Sequence, residues 1–321
     1  MMRFDLRHLA TRARICVLFL AILLAASAGL GHDPAEAQRG PERARGAPQP
    51  KQDAQPTEDQ EPRPEFNHEA VFYNQSRMID TVLADILPSD PAAANVYFVG
   101  FASWSDQDVF IREVVQARDI VEERLGASGR SVLLINHPMA VDQLPLASVT
   151  NLEIVLGRLG RIMNRDKDVL VLYLTSHGVE NIFAVQFPGF PLNHLTPRRL
   201  RASLERSGIR NRIVLISSCH SGSFIPALEA EHTLVMTAAR ADRTSFGCSN
   251  ERHWTYFGDA LLNRALRQTT SLPQAFETAK GLIAKWEREQ KLTPPSEPQI
   301  FIGRGIEPLL ERLARLPVKA N

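Results

Sequence analysis

Six short runs of apolar residues, separated by stretches of helical periodicity, constrain this chain more than any other feature. The runs are NVYFVGFA (95–102), SVLLIN (131–136), DVLVLYLT (168–175), RIVLIS (212–217), TLVMTAA (233–239) and QIFIG (299–303). Continuous Val/Ile/Leu segments of this length suit strands covered on both faces. Between them, 109–125, 152–163, 197–207 and a long pair over 256–291 read as helices. In the last of these, Ala275, Phe276, Ala279, Leu282, Ile283 and Trp286 share one face at 3.6-residue spacing. Such alternation predicts one α/β domain over 66–321, with helices on both sides of a mostly parallel six-stranded sheet.

The first 65 residues are of a different kind. Arg3, Arg7, Arg12 and Arg14 face a single acid, Asp5, and then 15–30 carries no charge. Sixteen apolar residues rise about 24 Å as a helix, short of the roughly 30 Å hydrocarbon core. With Ala26-Ser27-Ala28 behind it, 1–28 reads as a signal peptide, or as an uncleaved N-terminal anchor. Either form predicts export, to a periplasm or beyond the cell. Residues 29–65 follow as a Pro-rich spacer: 31–65 alone hold seven prolines, eight acids and five bases. Too little apolar area is available there to offset the entropy of ordering; a propeptide is the rival reading.

Charge narrows the functional classes. Lys+Arg (37) and Asp+Glu (36) cancel to +1, which gives no electrostatic case for nucleic acid. No membrane contact beyond the N-terminal segment is expected. The three cysteines, Cys16, Cys219 and Cys248, are too few for a disulfide scaffold or a four-cysteine zinc site. Neither a metal nor a cofactor is expected.

In open α/β sheets ligands bind beyond the carboxyl ends of the strands. Ser176-His177-Gly178 follows the third run and Ser218-Cys219-His220-Ser221-Gly222 the fourth. A histidine and a cysteine at neighbouring strand ends suit acyl transfer. The thiolate is the competent nucleophile, and an imidazole can take its proton and return it to a leaving amine. Glycine after His177 and small residues around Cys219 leave backbone N–H groups open to a developing oxyanion. A helix beginning near Ser221 would favour the thiolate through its dipole. Other readings of the same residues are a buried structural cysteine, a Cys219–Cys248 disulfide, or metal ligation by His177, Cys219, His220 and His253.

The sequence resembles the legumain family of caspase-fold cysteine peptidases, whose relatives include the catalytic subunit of the glycosylphosphatidylinositol transamidase. LYLTSHG (172–178), VLISSCHSGSF (214–224) and TAARADRTSFGCSNERHWTYFGDALL (237–262) carry the likeness. The resemblance implies a three-layer α/β/α caspase-like fold and an endopeptidase acting on protein or peptide substrates. It implies His177 as general base, Cys219 as nucleophile, and the Gly178 and Cys219 N–H groups as the oxyanion hole. It further implies Ser217, Ser245 and Asp259 as substrate-pocket positions and cleavage after Asn. The chain departs from the family at Ser217, where legumains carry an acid, and over 104–108, where they carry Asn-x-Arg. Gln107 becomes the candidate for orienting His177. A transpeptidase or ligase of the same fold, and an inactive caspase-fold binding module, are the alternative functions.

Overall fold

The computed structural model describes residues 66–316. The expected signal or anchor (1–28) and spacer (29–65) lie outside the described residues. In chain order, two helices, α1 (His68–Tyr73) and α2 (Gln75–Ala84), precede strand β1 (Val96–Ala102), helix α3 (Asp108–Leu125) and β2 (Ser131–Ile135). Then come α4 (Val149–Ile162), β3 (Val169–Thr175), a small hairpin of β4 (Gly178–Val179) and β5 (Ile182–Phe183), α5 (Pro197–Ser207) and β6 (Asn211–Ser217). The remainder is α6 (Ile225–Leu228), β7 (Thr233–Thr237), α7 (Tyr256–Gly258), α8 (Leu266–Gln268), α9 (Leu272–Glu289), β8 (Gln299–Ile302) and α10 (Glu307–Ala314).

The six long runs form one sheet in the order β2-β1-β3-β6-β7-β8. All pairs are parallel except β7–β8, which is antiparallel. Strand side chains alternate between faces, so each run feeds two cores. Phe98, Val171, Tyr173, Ile213, Leu215 and Met236 pack with α3, α9 and α10. Tyr97, Val99, Leu170, Leu172, Val214 and Val235 pack on the other side with α4 and α5. The expected three-layer arrangement is the one observed.

Local chemistry sets the helix boundaries. Ser148 Oγ accepts from Asn151 N–H and starts α4 at Val149, three residues before its apolar periodicity begins. Thr196 caps α5 in the same way, Pro197 occupies its first turn, and Gly208 closes it at φ 73°. The expected helix near Ser221 is only a 3-10 turn (Ser221–Phe224) and the single turn of α6. So short an element has little aligned dipole to offer Cys219. Gly222 explains the interruption. Its N–H donates to Ala239 O at 2.8 Å, and a Cβ there would come within 2.7 Å of Ala241 N.

Packing of α4 on α5 depends on Gly160, where a Cβ would fall 1.8 Å from Ser207 O. Gly160→Ala is therefore expected to force the two helices apart and destabilise the domain by about 1–3 kcal/mol, read as a lower urea midpoint with an unchanged slope.

Candidate active site

The register of the three central strands builds the site. Ala102 of β1 pairs with Thr175 of β3, and Thr175 pairs with Ser217 of β6, so the three strands end level. Ser176 N–H donates across to Ser217 O at 3.1 Å and carries the pairing one step further. His177 and Cys219 each stand two residues beyond that row on adjacent chains. The approach is close: a Cβ on Gly178 would lie 2.7 Å from Cys219 O.

His177 is fixed on several sides. Its Nε2 lies 2.9 Å from Gln107 Oε1, at the residue that precedes α3. An amide oxygen can only accept, so Nε2 carries the proton and Nδ1 holds the lone pair. Trp104 and Phe110 stand edge-on to the imidazole at 4.9 and 5.2 Å between ring centroids. This burial lowers the His177 pKa from its ordinary 6.5, against the opposing pull of Asp106. The neutral base is therefore the form present at neutral pH. Asp106 itself accepts from Ser105 Oγ at 3.2 Å and Gln186 Nε2 at 3.3 Å. Gln186 N–H in turn donates to Ser103 O at 2.8 Å, which holds the loop after β1 against the segment that follows the hairpin.

Cys219 is partly exposed and free, as is Cys248. Ser245 N–H points at Sγ from 3.3 Å, Ser245 Oγ lies at 3.6 Å and the thiol donates to Ser245 O at 3.6 Å, so one residue meets the sulfur three times. His220 takes the left-handed conformation at φ 56°. Its N–H donates to Arg243 O at 2.8 Å, and Nδ1 sits 2.9 Å from Ala241 O. These two bonds offset the cost of that backbone conformation, about 1–2 kcal/mol, and turn the chain sharply after the sulfur.

The implied pocket residues divide. Ser245 is at the sulfur. Ser217 is buried, its hydroxyl 2.9 Å from Thr255 Oγ1. Asp259 accepts from Asn263 Nδ2 at 2.7 Å and Arg264 Nε at 3.1 Å, both in its own segment. Four residues outside the sequence expectation join the site: Trp104, Gln186, Thr255 and Glu113. Glu113 was detectable, because it falls on the apolar face of α3 with Phe110, Val114 and Ala117. Among the described residues no group of three or more His, Cys, Asp or Glu could hold a metal ion. No described helix is long and apolar enough to cross a membrane.

Residues 150–303 match the model of the Peptidase C13 family, a stretch that includes both His177 and Cys219. Over this stretch, just under half of the chain, the sequence is similar to that family, the legumain family of cysteine peptidases. A crystal structure of caspase-1 from Spodoptera frugiperda is similar over 68% of this chain and 93% of that chain, with TM-score 0.48 and 12% identity. No curated protein sequence matches the chain. The C13 match begins after Gln107, so the contact between Gln107 and His177 is a feature of this structure rather than of the matched region.

The tautomer is directly measurable. Nitrogen-detected NMR is expected to show His177 titrating below pH 6.5, with its neutral form protonated on Nε2. Gln107→Ala is expected to abolish that tautomer preference while the fold persists.

Proposed function

We propose that the protein is an exported endopeptidase of the legumain type. The observation that carries this reading is the pair of strand ends: an imidazole held by Gln107 beside a thiol solvated by Ser245. In the proposed reaction the Nδ1 lone pair of His177 takes the proton of Cys219. The sulfur attacks the scissile carbonyl, and the oxyanion is met by the N–H groups of Gly178 and Cys219. The imidazolium then protonates the departing amine, and water, deprotonated by the same imidazole, hydrolyses the thioester. Neither step calls on a metal or cofactor.

Ser245, Ser217 and Asp259 are proposed to shape the pocket for the residue before the scissile bond. The likeness to the legumain family at Asp259 supports a preference for an amide or a cationic side chain, Asn among them, although this carboxylate is already met by Asn263 and Arg264. Export is proposed from the basic segment and apolar run of 1–30.

Peptide acyloxymethyl ketones carrying Asn, Asp, Arg or Lys next to the warhead test the chemistry and rank the preference together. Wild type is expected to be labelled at Cys219 and Cys219→Ala to remain unlabelled. Silence of every probe against a freely titrating Cys219 thiol would sink the peptidase reading. Because burial lowers the His177 pKa, the acidic limb of kcat/KM is expected below pH 6.5. Loss of Gln107 is expected to reduce kcat/KM by about 10- to 100-fold, through the wrong tautomer and a free ring.

A further inference from the structure

Glu113 is the only acid among the buried residues of α3, and it is wholly enclosed. Its carboxyl group meets donors from separate parts of the chain. Thr255 N–H donates to Oε2 at 2.8 Å, and Thr255 Oγ1 donates to Oε1 at 3.1 Å. The Tyr173 hydroxyl of β3 donates to the same Oε1. The space is closed by Gly258, where a Cβ would fall 2.3 Å from Oε1 and 2.9 Å from Tyr173 Oη.

Two paths lead from this carboxyl to the reacting groups. Through Thr255 Oγ1 it reaches Ser217 Oγ, two residues before Cys219. Along α3 it reaches Gln107, which precedes the first turn and holds His177. Thr255 also ends the loop that carries Ser245, the residue that solvates the sulfur. A side chain of apolar character would fill the same volume and make none of these connections.

We propose that Glu113 is a positioning residue for the reacting pair, fastening the helix behind the histidine to the strand and loop behind the cysteine. The assignment rests on reading His177 and Cys219 as that pair. It also gives the site a pH dependence of its own. Burial pushes Glu113 up to about 8; hydrogen bonds from Thr255 and Ser217 oppose the rise, and the charge of Asp259 adds to it. The titratable groups facing it are Asp259 from the segment after α7, Tyr173 from β3, and Cys248 from the loop. Burial pushes the Cys248 thiol up to about 12, so it stays neutral as Glu113 ionises. The new charge would then sit against hydroxyls and one acid, with no cation among these facing groups. The sign follows. The folded-state pKa is raised, so the contribution of the neutral carboxyl is whole below the ordinary carboxylate range and is lost as pH rises through about 8.

The test is independent of any peptide substrate. Alkylation of Cys219 by iodoacetamide is followed by mass spectrometry in the full chain, from about pH 5 to about pH 10, for wild type, Glu113→Ala and Glu113→Gln. Glu113→Ala is expected to slow Cys219 alkylation at neutral pH by about tenfold, the change in thiolate fraction that one pKa unit represents. Glu113→Gln is expected to recover most of that loss, because its amide can accept from Thr255 N–H and donate to the two hydroxyls. The ratio of wild-type to Glu113→Gln alkylation rates, in which the thiol's own ionisation largely cancels, should change near pH 8. The proposal is overturned by a Glu113→Ala protein alkylated at the wild-type rate, or by a ratio of wild-type to Glu113→Gln rates that stays flat across the pH range. If Glu113→Ala does not fold, the comparison of wild type with Glu113→Gln decides alone. Failure of the peptidase reading would show in the acyloxymethyl ketone experiment and would leave this profile intact.

Discussion

Everything at the rim depends on one row of backbone pairing, Ala102 with Thr175 and Thr175 with Ser217. These strands lie in the enclosed middle of the sheet: every residue of β1 and β3 is buried, and all of β6 but Arg212. A slip of one residue would carry Leu172 and Tyr173 to opposite faces and expose each core to the wrong helices. The apolar side chains therefore fix the register, and the register fixes where Ser103, His177 and Cys219 emerge. Hydrophobic burial makes no contact with a substrate here, yet it sets the spacing of the reacting atoms.

The polar part of the site is built on this frame by helices that begin or bury their charges at the rim. Trp104 and Phe110 take water from His177 and weaken its hold on a proton, while Gln107 fixes which nitrogen carries it. Glu113 experiences the same desolvation with the opposite sign, since burial favours the neutral form of either group. The imidazole held by Gln107 and the carboxyl six residues further along the chain from that glutamine are thus both uncharged near neutral pH. The Cys219 sulfur faces Ser245 rather than a neighbouring ion pair.

Much of this was legible in the sequence, and the parts that were not share a cause. Runs such as DVLVLYLT point to buried strands because they are short, rich in valine and leucine, and spaced by segments of helical period. His177 and Cys219 followed from their place after two of them, and Gln107 from its place after the first. Pairing between strands leaves no local trace, so the antiparallel β8 and the level ends of β1, β3 and β6 had to be seen. The helix near Ser221 was a local inference that lost to a tertiary constraint, the contact of Gly222 with Ala239. Glu113 could be read from its place on the apolar face of α3 beside Phe110 and Ala117, but its partners Thr255 and Tyr173 come from distant segments and had to be seen. The family resemblance agrees with the C13 match, and it could not locate Glu113, which lies outside the matched region.

The antiparallel strand β8 leaves the sheet with two unequal margins. All its residues are only partly enclosed, and it pairs with β7 alone. Opening that margin would release four residues of ladder and leave the pairing of β1, β3 and β6 untouched. Free energies of local opening within one protein range from near zero to the full global value. Backbone amides along β8 would thus exchange with solvent through excursions that the amides beside His177 and Cys219 never experience. Fraying at the flank and catalytic geometry at the centre are separate events in this fold, and the chain can breathe at its edge without disturbing the two residues it has most reason to hold still.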